Sequence, residues 1–391
     1  MKFNTINFYG GLNNHPFLYP SFYPKYIKKA KNGVIYADNQ KFIDLWMGFG
    51  SVILGHSFKP LNRLLKKSLE AGIIYSSPIS EEKKLFSIIT HLFPSIEKIK
   101  ICLTGSEAVK YAIDLSIALS DRNRILSIEG DYHGSFTMNL KNLKTIPFNN
   151  IDRLSSELNS KKYACFILEP IMCNKGIILP NQDYLKKARD LCTQTGTILI
   201  FDETITGLRV GNGGAQAYFK IRPDLTILSK SLANGIPIAI LGGKKHLMDM
   251  FMPKGSVFFG GTFYGNALSI RATLFTLKYY QKYHDNLIKS VFNLKKEISW
   301  WLKRKSINDI NVISIGSMLF IFWGKNLPQN YKDFKKNFSI EKWNKFIKIL
   351  LKEEKIFPPP LYTEPFYFSV SHRPLMEKIK EKLIRALNKV V

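Results

Sequence analysis

Lys230 follows the apolar run 225–228 and opens the turn Ser231-Leu232-Ala233-Asn234-Gly235. An amine placed there sheds part of its water, which lowers its pKa and frees its lone pair to attack an aldehyde. A solvated lysine after a strand is the plainer alternative. A second group occupies the same kind of place. Asp202 and Glu203 close the apolar stretch 197–201, and sheets of parallel strands bind ligands at the carboxyl ends of their strands. A buried Asp202 requires a cation beside it. A protonated pyridine nitrogen would meet that need and stay electron-withdrawing, whereas a strand end open to water would need nothing. The third feature is Leu103-Thr104-Gly105-Ser106-Glu107-Ala108, at a junction of strand and helix. Free amides at a helix N-terminus, with the Ser106 hydroxyl, form a cradle for phosphate; taken alone, Ser106 also fits an ordinary helix cap. An aromatic turn, Tyr132-His133-Gly134, lies between the cradle and the acids.

These groups need a scaffold that carries strand ends to one place. From residue 61 to 270, short apolar runs at 98–103, 124–128, 164–168, 197–201, 225–228 and 237–241 alternate with helical patterns. In residues 107–119, for example, Ala108, Tyr111, Ala112, Leu115, Ala118 and Leu119 fall on one stripe. Runs without polar alternation predict strands buried on both faces, hence an α/β fold with a mostly parallel, doubly wound sheet. Two strand-like pieces, 34–36 and 42–45, sit in a Pro-, Gly- and Tyr-rich leading segment. Beyond 271 the texture becomes long Lys-rich helices with strands at 317–323 and 366–370. Three parts are expected: an N-terminal segment 1–60 that joins the small domain and the site, a large domain 61–270, and a smaller C-terminal α+β domain 271–391.

With 391 residues, 45% of them hydrophobic, the chain can bury a large core. No run of about 18 apolar residues is present, so no membrane span is expected. The opening MKFNTINFYGG has no apolar leader core, and Cys102, Cys165, Cys173 and Cys192 form no paired motif. A cytoplasmic protein with buried free thiols and no metal site is expected. The net charge of +27 raises the alternative of a basic nucleic-acid-binding protein. The lysines are spread rather than blocked, however, and Asn, Ile, Phe and Tyr are abundant beside them, as an AT-rich genome would dictate. No nucleic-acid partner is expected; an anionic substrate suits the same field.

In this order the motifs resemble the class III aminotransferases, and within them the glutamate-1-semialdehyde 2,1-aminomutase branch. The resemblance covers most of the chain. It begins at Ile53-Leu54-Gly55-His56 and Gly130-Asp131-Tyr132-His133-Gly134, and continues through Leu168-Glu169-Pro170 and the segment from Asp202 to Arg209. Gly213-Gly214-Ala215-Gln216, Lys230, Gly260-Gly261-Thr262-Phe263-Tyr264-Gly265-Asn266, Gly316-Ser317-Met318, Glu364 and Ser369-Val370-Ser371-His372 complete it. It implies a fold type I enzyme whose large domain binds pyridoxal 5'-phosphate (PLP). Lys230 would hold the cofactor as a Schiff base and then shuttle a proton, and Asp202 would hold the pyridinium. Tyr132 would stack on the ring with His133 beside it, Gly105 and Ser106 would bind phosphate, and Glu203 would support the cofactor environment. Thr262 would reach the phosphate of the neighbouring subunit, which implies a homodimer with shared sites. Glu169 and Glu364 are expected to face the substrate.

Three departures bear on the reaction. The aminomutases carry a Ser-Pro-Val-Arg stretch whose Arg holds a carboxylate; here Gly10-Gly11-Leu12-Asn13-Asn14-His15-Pro16-Phe17 has no Arg, and Lys25 is a substitute nearby. The stretch from Gly134 to Ala164 is short where the aminomutases place a gating loop, and a weak gate favours a transaminase that releases its first product. Finally, Ala233-Asn234-Gly235-Ile236-Pro237 replaces a Gly-rich turn, and Thr204 stands where Val is usual behind the ring. The leading expectation is therefore an aminotransferase that moves an amino group from a donor such as glutamate to the carbonyl of a small acidic or sugar-like acceptor. The alternative is the aminomutase itself, making 5-aminolevulinate.

Overall fold

The computed structural model describes residues 22–24 and 26–391. The stretch 10–17 and Lys25, where a carboxylate anchor is in question, lie outside the described residues. In chain order the strands are β1 (Ile27–Lys31), β2 (Val34–Ala37), β3 (Gln40–Asp44), β4 (Lys98–Cys102), β5 (Arg124–Ile128), β6 (Leu143–Ile146) and β7 (Tyr163–Leu168). They continue as β8 (Ile198–Asp202), β9 (Leu225–Leu228), β10 (Ala239–Gly243), β11 (Asn311–Ile315), β12 (Met318–Phe322), β13 (Ile356–Phe357) and β14 (Phe366–Tyr367).

The main sheet has seven strands in the order β4-β10-β9-β8-β7-β5-β6. All run parallel except β10, which is antiparallel to both neighbours. The reversal has a simple cause. A parallel neighbour needs a crossover of a dozen or more residues, and the link from Leu228 to Ala239 is too short for one. The expected fold class is thus the observed one. Strands β7, β9 and β10 are buried throughout, and successive side chains feed opposite cores. On β8, Leu199 and Phe201 enter the larger core, while Ile200 enters the smaller one beneath the helix Gly105–Ala118. β6 was not expected. It is a four-residue edge strand paired only with β5 and half-exposed, so it carries no apolar run to reveal it.

Two smaller sheets flank this one. β1, β2 and β3 form an antiparallel meander, and β13 joins β3 in parallel, so the leading segment pairs with the C-terminal part of the chain. β11, β12 and β14 form the third sheet. The 38-residue helix Ala267–Arg304 passes position 271 without a break and buries a stripe through Leu277, Leu287, Val291, Leu294 and Ile298. Among the described residues, no helix is long and apolar enough to cross a membrane. All four cysteines are buried and unpaired.

Two buried ionic groups fix the architecture around the sheet. Asp224 accepts from Arg189 Nη1 at 2.7 Å, Lys244 Nζ at 2.6 Å and the Leu199 amide at 2.9 Å, tying β8, β9, the end of β10 and the helix Tyr184–Thr195 to one carboxylate. Arg209 is fully buried. Its guanidinium donates to the Gly50 carbonyl (2.6 and 2.8 Å), the Phe368 carbonyl (2.9 Å) and the Ser317 hydroxyl (3.2 Å), and lies over the Tyr367 ring. No carboxylate among the described residues lies within ion-pair distance of it, and burial pushes its pKa down to about 10.

Candidate active site

Five strands that run the same way, β4, β5, β7, β8 and β9, end at one edge of the main sheet. The residues just past those ends surround a cavity of about 330 Å³. Gly105, Ser106, Tyr132, His133, Glu169, Asp202 and Lys230 line it, joined by Asn174, Thr204 and Ile205. Three chemically distinct corners are thereby brought together.

The first corner is a helix N-terminus. Thr104 caps the helix Gly105–Ala118: its hydroxyl accepts from the Glu107 amide, and the Glu107 carboxylate accepts from the Thr104 amide at 2.8 Å. Among the described residues, the amides of Gly105 and Ser106 and the Ser106 hydroxyl donate to no protein group. Such amides at the positive end of a 14-residue helix are free to hold an anion. The backbone of Gly134 packs against Ser106. A Cβ at Gly134 would strike the Ser106 hydroxyl, and its φ of +95° already favours glycine.

The second corner is Asp202. Its Oδ2 accepts from His133 Nδ1 at 2.8 Å and its Oδ1 from the Thr204 amide at 3.1 Å. Burial works against the carboxylate's charge, but His133 outweighs it and holds the group below its ordinary pKa. For His133, burial disfavours the cation, yet Asp131 and Asp202 carry the pKa up to about 10.

The third corner is Lys230. Burial lowers its pKa, with Glu364, Glu169 and Asp202 pulling the other way. Among the described residues, no carboxylate lies within ion-pair distance, so the amine is uncommitted. Its backbone has φ +46°, a left-handed conformation that costs a residue with a Cβ about 1 kcal/mol. The turn that imposes it is held by Asn234, whose side chain accepts from the Leu54 amide at 2.8 Å and donates to the Gly55 carbonyl at 3.0 Å. The non-Gly turn seen in the sequence is therefore the part that ties the leading segment to Lys230.

Glu169 faces the cavity under heavy restraint. It accepts from the amides of Tyr132 (3.0 Å), Cys173 (3.0 Å) and Asn174 (3.3 Å) and from the Asn174 carboxamide (2.7 Å), and burial and Asp131 push it up to about 7. Glu364 does not line the cavity; it accepts from the Trp46 indole, and burial raises its pKa while Lys230 opposes the shift. Glu203 points away. It accepts from the Ala215 and Gln216 amides at 2.6 and 3.0 Å and from the Thr206 hydroxyl at 2.9 Å, so it caps the helix Gly214–Phe219 from behind. Thr262 is exposed and lies outside the cavity of its own chain. Asn174 and Trp46 received no role from the sequence because neither sits at a strand end or in a charged pattern. Asp131 lay within a recognised motif without a role.

The arrangement can hold an anion at the helix end, a cationic ring nitrogen at Asp202 and an electrophilic carbonyl at Lys230. Known proteins resemble the chain along most of its length. The model of aminotransferase class-III matches residues 20–144 and 138–334. The chain is 34% identical to glutamate-1-semialdehyde 2,1-aminomutase of Archaeoglobus fulgidus, over 94% of this chain and 92% of the relative. It is 32% identical to that of Sulfolobus acidocaldarius, over 97% and 96%. Among solved structures, an omega-transaminase from Sphaerobacter thermophilus superposes with a TM-score of 0.90 at 23% identity, covering 97% of this chain and 94% of that one. A glutamate-1-semialdehyde-aminomutase from Pseudomonas aeruginosa PAO1 does so with 0.86 at 19%, covering 95% and 90%.

Proposed function

The chain belongs to the class III aminotransferases, PLP-dependent enzymes of fold type I, and from that premise we propose that it converts glutamate-1-semialdehyde to 5-aminolevulinate with PLP held by Lys230. The observation that carries the PLP site is the convergence of an uncommitted lysine, an anionic Asp202 and an unsatisfied helix N-terminus on one cavity. The choice of reaction rests on the aminomutase relatives, which match nearly the full length of both chains. They weigh against the transaminase reading that the departures in the sequence favoured.

When bound, PLP supplies an electron sink for charge that develops at the substrate carbon. The chain's residues do the rest. Lys230 would hold the cofactor through its amine, and the same amine is placed to move a proton at the substrate carbon. Asp202, an anion, would accept from a protonated ring nitrogen, and His133 orients Asp202. Gly105 and Ser106 would take the phosphate, and Tyr132 would lie against the ring. Glu169 would face the substrate from the end of β7, whereas Glu364, outside the cavity and bound by the Trp46 indole, would act on the site only through its charge near Lys230. Glu203 acts only indirectly, by fixing the segment that follows Asp202. Thr262 is assigned to the phosphate of a second subunit, in a homodimer. The buried free thiols and the positive field fit a cytoplasmic enzyme with an acidic substrate.

A second reading, transamination to a separate acceptor, has one specific support. The segment after Gly134 is filled by a 3-10 turn (Ser135–Asn139), β6 and the helix Ile151–Asn159, which leaves little chain for a gate. The two readings separate when the PLP-loaded protein is given glutamate-1-semialdehyde with no amino donor. Formation of 5-aminolevulinate is expected. Turnover that appears only after glutamate or another amine is added overturns the rearrangement in favour of transamination.

A further inference from the structure

Asp131 belongs to the Gly130–Gly134 motif but does not line the cavity. Its side chain is fully buried, with Oδ2 accepting from the Glu169 amide at 2.8 Å and Oδ1 without a partner. The His133 ring lies between this carboxylate and Asp202: Nδ1 faces Asp202 at 2.8 Å, and Nε2 lies 3.1 Å from the Ser127 hydroxyl and 3.6 Å from Asp131 Oδ2. We propose that Asp131 is a positioning residue that acts through His133, keeping both ring nitrogens protonated so that Asp202 remains an anion beside the ring nitrogen of PLP.

The role of Asp131 is one of charge and rests on the PLP assignment above. Buried charges are tolerated when they are matched. His133 and Asp202 alone form a neutral pair, and a protonated pyridine nitrogen added to them leaves one buried positive charge unmatched. With Asp131 ionised, the row Asp131, His133, Asp202 and ring nitrogen alternates in sign and sums to zero. Asp131 thus allows two adjacent cations, the imidazolium and the pyridinium, to persist together. The groups facing His133 are Asp131 from its own turn, Asp202 from β8 and Ser127 from β5, with Glu169 from the end of β7 behind Asp131. Burial raises the pKa of Asp131 itself and His133 opposes that shift, so the carboxylate's charge depends on the ring as the ring's depends on it.

The test is nitrogen NMR of the His133 ring, in apoprotein and in PLP-loaded protein, with the PLP dissociation constant measured alongside. Wild type is expected to show both ring nitrogens protonated at pH 7.5. Asp131→Asn keeps an oxygen for the Glu169 amide and removes only the charge. It is expected to lower the His133 titration midpoint by at least about one pH unit and to weaken PLP binding about tenfold. Asp131→Ala removes the acceptor as well, and should add a loss of melting temperature without moving the midpoint further. A wild-type ring that is neutral at pH 7.5 overturns the proposal whether or not the variants fold, and so does a midpoint unchanged in Asp131→Asn. Failure of the PLP assignment reads differently: no visible band forms on adding PLP, whatever the state of the imidazole.

Discussion

At the scale of the residue, Lys230 combines a chemical role with a backbone cost. Its φ of +46° disfavours any residue with a Cβ, and the Asn234 contacts to Leu54 and Gly55 hold the turn that imposes it. Lys230→Gly and Lys230→Ala both lose the amine, so their difference reports the backbone alone. The glycine variant is expected to be the more stable by about 1 kcal/mol in chemical denaturation. Equal stabilities would mean that the turn relaxes around alanine and that no strain is held there. The types of the site residues were readable because lysine and aspartate at the ends of apolar runs have few inexpensive explanations. Their directions were not. Glu203 follows Asp202 directly, yet alternation along the chain turns it to the back of the site, where it caps the helix Gly214–Phe219. Asn174 carries no charge and obeys no period, so only the fold places it against Glu169.

At the scale of the element, the site exists because five parallel strands stop at one edge, and Asp224 helps to keep them in step. Burial alone would raise its pKa, but Arg189, Lys244 and the Leu199 amide hold it below the ordinary carboxylate value. A folded-state pKa below the unfolded one gives stability that is present above the unfolded value near 4 and is lost as pH falls through the folded value. Asp224→Asn should therefore cost about 3 kcal/mol at neutral pH, and the gap from wild type should close as unfolding is measured at successively lower pH below about 4. A gap that stays constant down to pH 2 would show that packing, not charge, sets the effect. The strands themselves were legible where both faces are buried: 124–128 and 225–228 coincide with β5 and β9. β10 begins two residues later than its apolar run and ends on Gly242 and Gly243, residues that contribute nothing to a hydrophobic pattern.

At the scale of the whole molecule, the sheet was legible and the surface was not, because exposure has no sequence period in a loop. Phe258 and Phe263 are 70% and 58% exposed in the segment that carries Thr262. Exposed aromatic side chains of this size call for cover. The proposed homodimer predicts a sedimenting mass twice the chain's 44.9 kDa, shifting toward the single-chain mass when Phe258 and Phe263 are both changed to Glu. A wild-type protein that sediments at the single-chain mass at micromolar concentration would remove the shared site.

Arg209 has a consequence for the order in which the protein is made. Its acceptors come from early in the chain, at Gly50, and from late in it, at Ser317 and Phe368. On the ribosome, the strands that carry the site are complete long before Phe368 has been translated. Throughout that interval the guanidinium has only part of its final shell, and burying it would leave donors unmet. A chain cut before Phe368 is therefore expected to keep Arg209 hydrated and its neighbourhood loose, which faster amide exchange around Arg209 in such a truncated chain would report.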